Sequence, residues 1–435
     1  MSESSRPIGV AVLGMGNVGT EVVRILIEKA DDLKARVGAP LELRGIAVRD
    51  LDKVREGIDP SLLTDDPLAL VQRDDVDLVV ELIGGVKLAR KLIRAALDSG
   101  KSVVTANKAL MAEHAGELSK AAEDQRVDLY FEAAVAGAIP VIRPLTQSLA
   151  GDSVNRVSGI VNGTTNYILS EMAESGAGYG KVLAEAGRLG YAEADPTADV
   201  EGFDAASKAA ILASIAFHSR VTAADVYREG ITQISSKDLE AAKKFDCTIK
   251  LLAICERIDV DGQQKISARV YPALVPLDHP LATVNGAFNA VAVDAENAGR
   301  LMFYGQGAGG APTASAVLGD LVMAARNRVF GGRGPLESTY AGLPVASIDE
   351  VPTRYYVSMK VADVAGVLHQ VSGEFAARGI SIAAVRQEGA GDDARLIVVT
   401  HRASDRAQSE TVAALEKMDS VLKVSSVLRL EGTDD

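Results

Sequence analysis

Directly behind an apolar run, Ile8 to Leu13, the chain reads Gly14-Met15-Gly16-Asn17-Val18-Gly19 and then enters a helical pattern. A G-x-G-x-x-G spacing is weak alone, but a strand before it and a helix behind it supply the context the motif requires. Gly14 permits the tight turn, Gly16 lets the backbone approach a pyrophosphate, and Gly19 allows close helix–strand packing. Asn17 and Val18 would lie in the first helical turn, whose unpaired N–H groups and positive dipole end favour an anion. A glycine turn that holds no ligand is the alternative. Further short runs at Leu43–Val48, Leu78–Ile83, Ser102–Thr105 and Asp128–Phe131 alternate with helical patterns at Val18–Lys29, Lys87–Asp98 and Ala109–Glu123. Strands alternating with helices predict an α/β fold, a Rossmann-type doubly wound parallel sheet with right-handed crossovers.

The rhythm changes near Val154. A strand (Val154–Val161) and a helical stretch (Thr165 to about Phe217) precede β-rich sequence from Thr248 to Tyr304, punctuated by Gly, Pro and Asn. This predicts an α+β substrate and dimerisation domain with its own antiparallel strands. Pro312 opens a helix to about Val329, with proline suitably near the first turn. A stretch containing Gly331, Gly332, Gly334 and Pro335 reads as a linker, and the last 80 or so residues read strand–helix–strand–strand–helix–strand, the ferredoxin-like βαββαβ plan. The expected domains are 1–140 (dinucleotide-binding, completed by the helix at 312–330), 141–330 (substrate, catalysis and dimerisation), 331–352 (linker) and 353–435 (ferredoxin-like).

The 435 residues carry a formal charge of −13, which opposes a polyanionic partner because nucleic-acid binding draws on clustered Lys and Arg. No apolar stretch approaches the roughly 20 residues a membrane-spanning helix needs, and Met1–Pro7 lacks the cationic run of a signal peptide. A cytoplasmic protein without nucleic-acid or membrane partners is expected. Cys247 and Cys255 share one face of a strand or helix and read as buried, reduced thiols. The five histidines show no metal-ligand spacing.

Several polar stretches interrupt the apolar pattern. Asp204 and Lys208 stand at i, i+4 on a helix apolar nearly all round, so they form a packing ion pair or line a cleft. A lysine beside a carboxylate in such a cleft is a suitable proton donor to a carbonyl under reduction. Upstream, Gly190–Asp199 is acid-rich and not expected to be helical through Pro196; Glu193 and Asp199 could hold a substrate ammonium, or the loop is simply solvated. Thr105 and Lys108 flank the C-terminal end of a strand, where α/β sheets bind ligands. Gly163 and Thr164 follow Asn162 in a stretch that also suits a helix N-cap. Gly307 belongs to a glycine-rich run that is a hinge or a second backbone approach to the cofactor. At the tip of the second strand Arg49, with Lys53 beyond, leans the cofactor toward NADP, since an arginine there accommodates a 2′-phosphate; Asp50 keeps NAD open, and the alternative is that both simply face solvent.

In order and spacing, GMGNVG, TANKAL, FEAAVAGAIP, GIVNGTTNYIL, GYAEADPTADVEGFDAASKAAILA and GAGGAPTASAV resemble the homoserine dehydrogenase family, from about Ile8 to Val329, and the tail resembles an ACT domain. The resemblance implies reversible, NAD(P)-dependent conversion of L-homoserine and aspartate 4-semialdehyde on the way to threonine, methionine and isoleucine. Lys208 would be the general acid/base, oriented by Asp204, and Lys108 would stand near cofactor and substrate. Glu193 and Asp199 would hold the substrate's amino end, with Gly163 and Thr164 beside it. Glu132 and the carbonyls of Val135, Gly137 and Ile139 would bind a monovalent cation, sodium, which suits all-oxygen ligands. Asp363 and Gly366 would meet an amino-acid effector, threonine, in a homodimer or homotetramer. None of these catalytic, substrate and cation positions departs from the family pattern. Two other readings are a semialdehyde dehydrogenase, which needs an activated cysteine, and a non-catalytic nucleotide and amino-acid sensor.

Overall fold

The structure is a computed structural model that describes residues 6–432. It forms two compact units. The first gathers the chain up to Val157, with Ala210–Ala223 and Asn289–Gly342; the second gathers Ser158–Ala209, Ala224–Phe288 and the chain from Leu343 on.

In the first unit six strands pair in parallel in the order Leu63–Thr64, Leu41–Ala47, Ile8–Leu13, Leu78–Glu81, Ser102–Thr105, Leu129–Tyr130. By sequence position this is 3-2-1-4-5-6, the doubly wound order whose reversal falls between the first and fourth strands. Every residue of Ile8–Leu13 is buried, because helices cover both faces, which is why it reads as an unbroken apolar run. Asn17–Glu28 and the long helix Gly310–Phe330 share one core with the sheet, through Val22, Val23, Leu26, Ala314, Val317 and Leu321. The strands Phe288–Ala295 and Gly299–Gln306, all but Phe288, also belong to this unit.

The second unit is built on a long antiparallel hairpin, Cys247–Val260 with Gln263–Pro276. Its two-residue turn is Asp261-Gly262, both with positive φ (53° and 81°), the conformation that suits the right-handed twist of the flanking strands. The expected helical stretch from Thr165 is four helices: Gly163–Ser175, Tyr179–Arg188, Thr197–Val200 and Phe203–Ala216. Gly176 takes a left-handed cap at φ 71°, and Pro196 cannot continue a helix, so the segment breaks there.

The C-terminal strands lie in the order Val421–Leu430, Tyr355–Val361, Arg395–Thr400, Ile382–Glu388, all antiparallel, with helices Val367–Ala377 and Asp405–Leu415 in the same core. This is the ferredoxin-like plan. Its first strand edge is not open: Ala273 and Leu274 of the hairpin pair in parallel with Arg429 and Leu430, so the two sheets are continuous. The segment expected as a loose linker is partly stitched to the hairpin, since Ile266 donates to the carbonyl of Pro344 and accepts from Ala346 at 2.9 and 2.8 Å. Among the described residues no helix is long and apolar enough to cross a membrane.

Candidate functional site

At the reversal point of the parallel sheet, Gly14 has φ +98° and a Cβ there would stand 2.8 Å from the Leu82 carbonyl oxygen. A Cβ on Gly19 would come within 2.1 Å of the Gly14 carbonyl oxygen, whereas one on Gly16 would meet nothing within 4 Å. Two glycines are thus demanded by the protein itself, and the middle one faces open space. Among the described residues no side chain caps the helix Asn17–Glu28, and its first turn holds no acidic residue, so the N–H groups of Asn17, Val18 and Gly19 are placed to receive an anion. Gly310, which starts the helix Gly310–Phe330, is so close that its Cβ would lie 3.0 Å from the Asn17 carbonyl oxygen. This cradle fits a dinucleotide pyrophosphate.

Around it, Arg49 and Lys53 are exposed at the tip beyond Leu41–Ala47. The Asp50 carboxylate is engaged in its own turn, accepting from the N–H groups of Asp52 and Lys53 at 3.0 and 3.2 Å. Thr105 is fully buried and its hydroxyl donates to Glu81 at 2.6 Å while accepting from the Asn107 N–H at 3.0 Å. Thr105, with no exposed surface, fixes Glu81 and Asn107 and does not present its hydroxyl to a cofactor. Burial pushes the Glu81 carboxyl up, against hydrogen bonds from Thr105, Ile83 and Gly84 that favour its ionised form. Lys108 is exposed in the first turn of Lys108–Gln125, behind the Asn107 cap. The helix dipole disfavours a cation at that end.

In the second unit the residues singled out on the apolar helix meet. Lys208 is 8% exposed and Asp204 6%. The Lys208 ammonium donates to Asp204 at 2.7 Å and to the Val161 carbonyl at 2.6 Å, satisfying a charge that would be costly to bury alone. Asp199 joins through a residue that spacing did not single out: the Asn162 amide donates to Asp199 at 2.7 Å and to Asp204 at 2.9 Å. Asn162 also caps the helix Gly163–Ser175, accepting from the Thr165 N–H at 2.9 Å, so its ring of contacts joins two acids to a helix end. The Thr164 hydroxyl donates to the Tyr191 carbonyl at 2.6 Å, and the Tyr191 ring packs on Tyr167 with centroids 4.8 Å apart. These contacts hold the loop that carries Glu193, whose side chain is exposed.

The Glu132 carboxylate is buried and accepts from the N–H groups of Val141, Ile142 and Arg143 at 2.6–2.8 Å. Three of about four lone-pair positions are thereby filled. Between them the chain turns through Ala136 and Gly137, both at φ 57°. A left-handed alanine costs about 1–2 kcal/mol, so surrounding contacts must hold this turn. One such contact is Gly137 against Gly307: a Cβ on Gly137 would lie 2.4 Å from the Gly307 carbonyl oxygen, and one on Gly307 would lie 2.0 Å from the Asn289 amide. Gly307 is fixed by that packing. Beneath, Asp320 accepts from the Glu132 N–H at 2.8 Å and from Arg143 at 2.5 Å, and burial pushes its carboxyl up to about 7. In the C-terminal domain Gly366 precedes the helix Val367–Ala377 at φ 92°, and Asp363 accepts from the Gly391 N–H at 2.8 Å.

Cys247 and Cys255 are both buried and neither forms a disulfide. Burial, with nearby acids, pushes the Cys247 thiol up to about 11, opposite to what a thiolate nucleophile needs. The semialdehyde dehydrogenase reading loses its nucleophile.

Family models match three successive stretches: homoserine dehydrogenase, NAD binding domain, over residues 14–132; homoserine dehydrogenase over 140–322; and ACT domain over 355–419. The homoserine dehydrogenase of Mycobacterium tuberculosis is 68% identical over 440 aligned residues, covering 100% of both chains. A solved homoserine dehydrogenase from Thiobacillus denitrificans is 39% identical, covers 98% of both chains and superposes with a TM-score of 0.91. A hyperthermophilic archaeal homoserine dehydrogenase in complex with NADPH is 26% identical over 76% of this chain and 100% of its own, with a TM-score of 0.62. With a nucleotide cradle, a buried lysine–carboxylate cluster and relatives matched from end to end, the chain belongs to the homoserine dehydrogenase family of NAD(P)-dependent oxidoreductases and carries a C-terminal ACT domain.

Proposed function

We propose that the chain interconverts L-aspartate 4-semialdehyde and L-homoserine reversibly, with Lys208 as the general acid and base, in the route toward threonine, methionine and isoleucine. The observation that carries the assignment is the buried Lys208 ammonium, held between Asp204 and a backbone carbonyl. When bound, the nicotinamide supplies the hydride to the aldehyde carbon or takes it back. Lys208 hands a proton to the carbonyl oxygen during reduction and receives one during oxidation, while Asp204 keeps the ammonium oriented and lowers the cost of its burial. Asp199 and Glu193 bind the substrate ammonium, Gly163 and Thr164 shape that pocket, and Lys108 stands by the reacting groups.

Gly14, Gly16, Asn17, Val18 and Gly19 would hold the pyrophosphate. Thr105, Lys108 and Gly307 would border the rest of the cofactor. Arg49 and Lys53 favour NADP, since the neighbouring Asp50 is occupied within its own turn; the archaeal relative bound to NADPH is in keeping with this. Glu132, with its remaining lone pair, and the carbonyls of Val135, Gly137 and Ile139 form an all-oxygen donor set suited to a hard monovalent cation, sodium. Asp363 and Gly366 meet an amino-acid effector, threonine, which inhibits. Val364, Leu368 and Val385 expose 63%, 46% and 42% of their surface in the ACT domain, in keeping with a homodimer or homotetramer that covers them.

The test is reduction of aspartate 4-semialdehyde with NADPH and NADH, with and without threonine, for the wild type and Lys208→Ala. The substitution is expected to slow turnover about 10²- to 10⁴-fold with the nucleotide KM little changed. Equal turnover of the two proteins removes Lys208 from its role.

A further inference from the structure

A short strap, Tyr227–Gly230, touches both the turn that joins Asp199 to Asp204 and the ACT domain. Tyr227 and Arg228 pair in parallel with Arg269 and Val270, and the Glu229 N–H donates to the Val270 carbonyl at 2.8 Å. On one side the strap grips the turn Val200–Phe203, the only chain between Asp199 and Asp204. Arg228 donates to the Glu201 carbonyl at 2.9 Å, and its guanidinium carbon lies 3.3 Å from the centre of the Phe203 ring. Ile231 donates to the Val200 carbonyl at 2.8 Å, and Gly230 is so close that a Cβ would stand 2.4 Å from the same oxygen. Phe203 opens the helix that carries Asp204 and Lys208.

On its other side the strap is bolted to the ACT domain. Glu229 accepts from Arg429 at 2.7 Å and from the Tyr227 hydroxyl. Arg429 is 8% exposed, and its other two nitrogens donate to Asp405 at 2.8 and 3.1 Å. Asp405 is the first residue of the second ACT helix and accepts from Thr353 at 2.9 Å. A buried guanidinium with its fork on one carboxylate moves with that carboxylate, because leaving it unpaired is costly. A displacement of the ACT helix therefore moves the Arg429 guanidinium that Glu229 accepts from.

We propose that this strap positions the amino-acid-binding side of the site, with Arg228 as its positioning residue and Arg429 as its anchor in the ACT domain. It rests on the reading that Asp199 and Asp204 serve the substrate. Glu229→Gln is the first test, since Glu229 is 41% exposed at its side chain and Arg429 keeps Asp405 in the variant. The KM for homoserine is expected to rise about threefold to tenfold, inside the span that single changes along a coupling route produce, with kcat and the nucleotide KM within about twofold. Arg228→Ala is expected to do the same, and Arg228→Lys to recover only part, because an ammonium cannot both lie flat on a ring and donate as the fork does. Adding Glu229→Gln to Arg429→Gln is expected to raise the KM no further. An unchanged homoserine KM in both Glu229→Gln and Arg228→Ala, or an equal change in the nucleotide KM, overturns the proposal. Asp199→Asn is the control: if it raises the KM while the strap variants do not, the strap alone fails, and if it leaves the KM untouched, the reading of the acids fails and the strap with it.

Discussion

Replacing Asn162 by aspartate changes one atom of the acid cluster and inverts its electrostatics. The amide nitrogen lies 2.7 Å from Asp199 and 2.9 Å from Asp204, and the substitution puts an oxygen there. The helix cap survives, because the other side-chain oxygen still accepts from the Thr165 N–H. If the new carboxylate ionised, each contact at about 2.8 Å would be repulsive by about 6 kcal/mol at an effective dielectric of about 20. Two such terms, even reduced by attraction to the Lys208 ammonium on Asp204, exceed the roughly 4 kcal/mol needed to keep one proton bound near neutrality, so the cluster takes up a proton instead. The unfolded chain releases that proton near its ordinary value of about 3.9, so above this the native state binds one proton more. Stability therefore falls as pH rises, by about 1.4 kcal/mol per unit for as long as the folded group stays protonated. Relative to wild type, Asn162→Asp should lose about 4 kcal/mol of further stability between pH 5 and pH 8. Urea unfolding of both proteins at the two pH values measures this directly. A destabilisation that is the same at both, or none at all, would show that the amide does not bridge two ionised carboxylates.

Two further predictions concern groups away from that cluster. Lys250 is 1% exposed and donates only to neutral acceptors among its hydrogen bonds, to Val284 at 2.6 Å, Asn285 at 3.0 Å, Asn166 at 3.2 Å and Ser170 at 3.4 Å; burial lowers it from 10.5 to about 8. The native state therefore holds fewer protons than the unfolded chain from about pH 8 upward, and stability should rise by about 3 kcal/mol toward pH 10.5 in wild type relative to Lys250→Met; parallel pH profiles of unfolding free energy in the two proteins would refute this. Arg49→Ala should raise the KM for NADPH about tenfold while that for NADH moves less than twofold, since only the former carries the 2′-phosphate; equal changes in steady-state KM place the arginine elsewhere.

What the sequence made legible follows from the range of the interactions involved. The parallel sheet was readable because strands buried on both faces become apolar runs, and because Gly14 and Gly19 answer to steric demands within a few residues of themselves. Asp204 and Lys208 were readable as a pair because a helix places i and i+4 side by side. Of the breaks in the long helical region, the one at Pro196 was legible because proline cannot continue a helix, whereas apolar periodicity on either side masked the one at Gly176. Long-range pairing left no such trace. Asn162 reaches partners 37 and 42 positions away, and its suitability as a helix cap gave it a sufficient local reason to exist. Likewise the parallel pairing of Arg429 and Leu430 with Ala273 and Leu274 involves two residues on each strand, too short for any hydropathy pattern to record. Arg429 itself sits among residues that read as one more half-exposed strand, and only its neighbours in space, Asp405 and Glu229, reveal a buried charge tied on two sides. A polar residue with an adequate local explanation is therefore the place where a second, distant role goes unseen. Asn162 and Arg429 are where substitution should separate the two, because each can be altered while the local explanation, a helix cap or a strand position, is left standing.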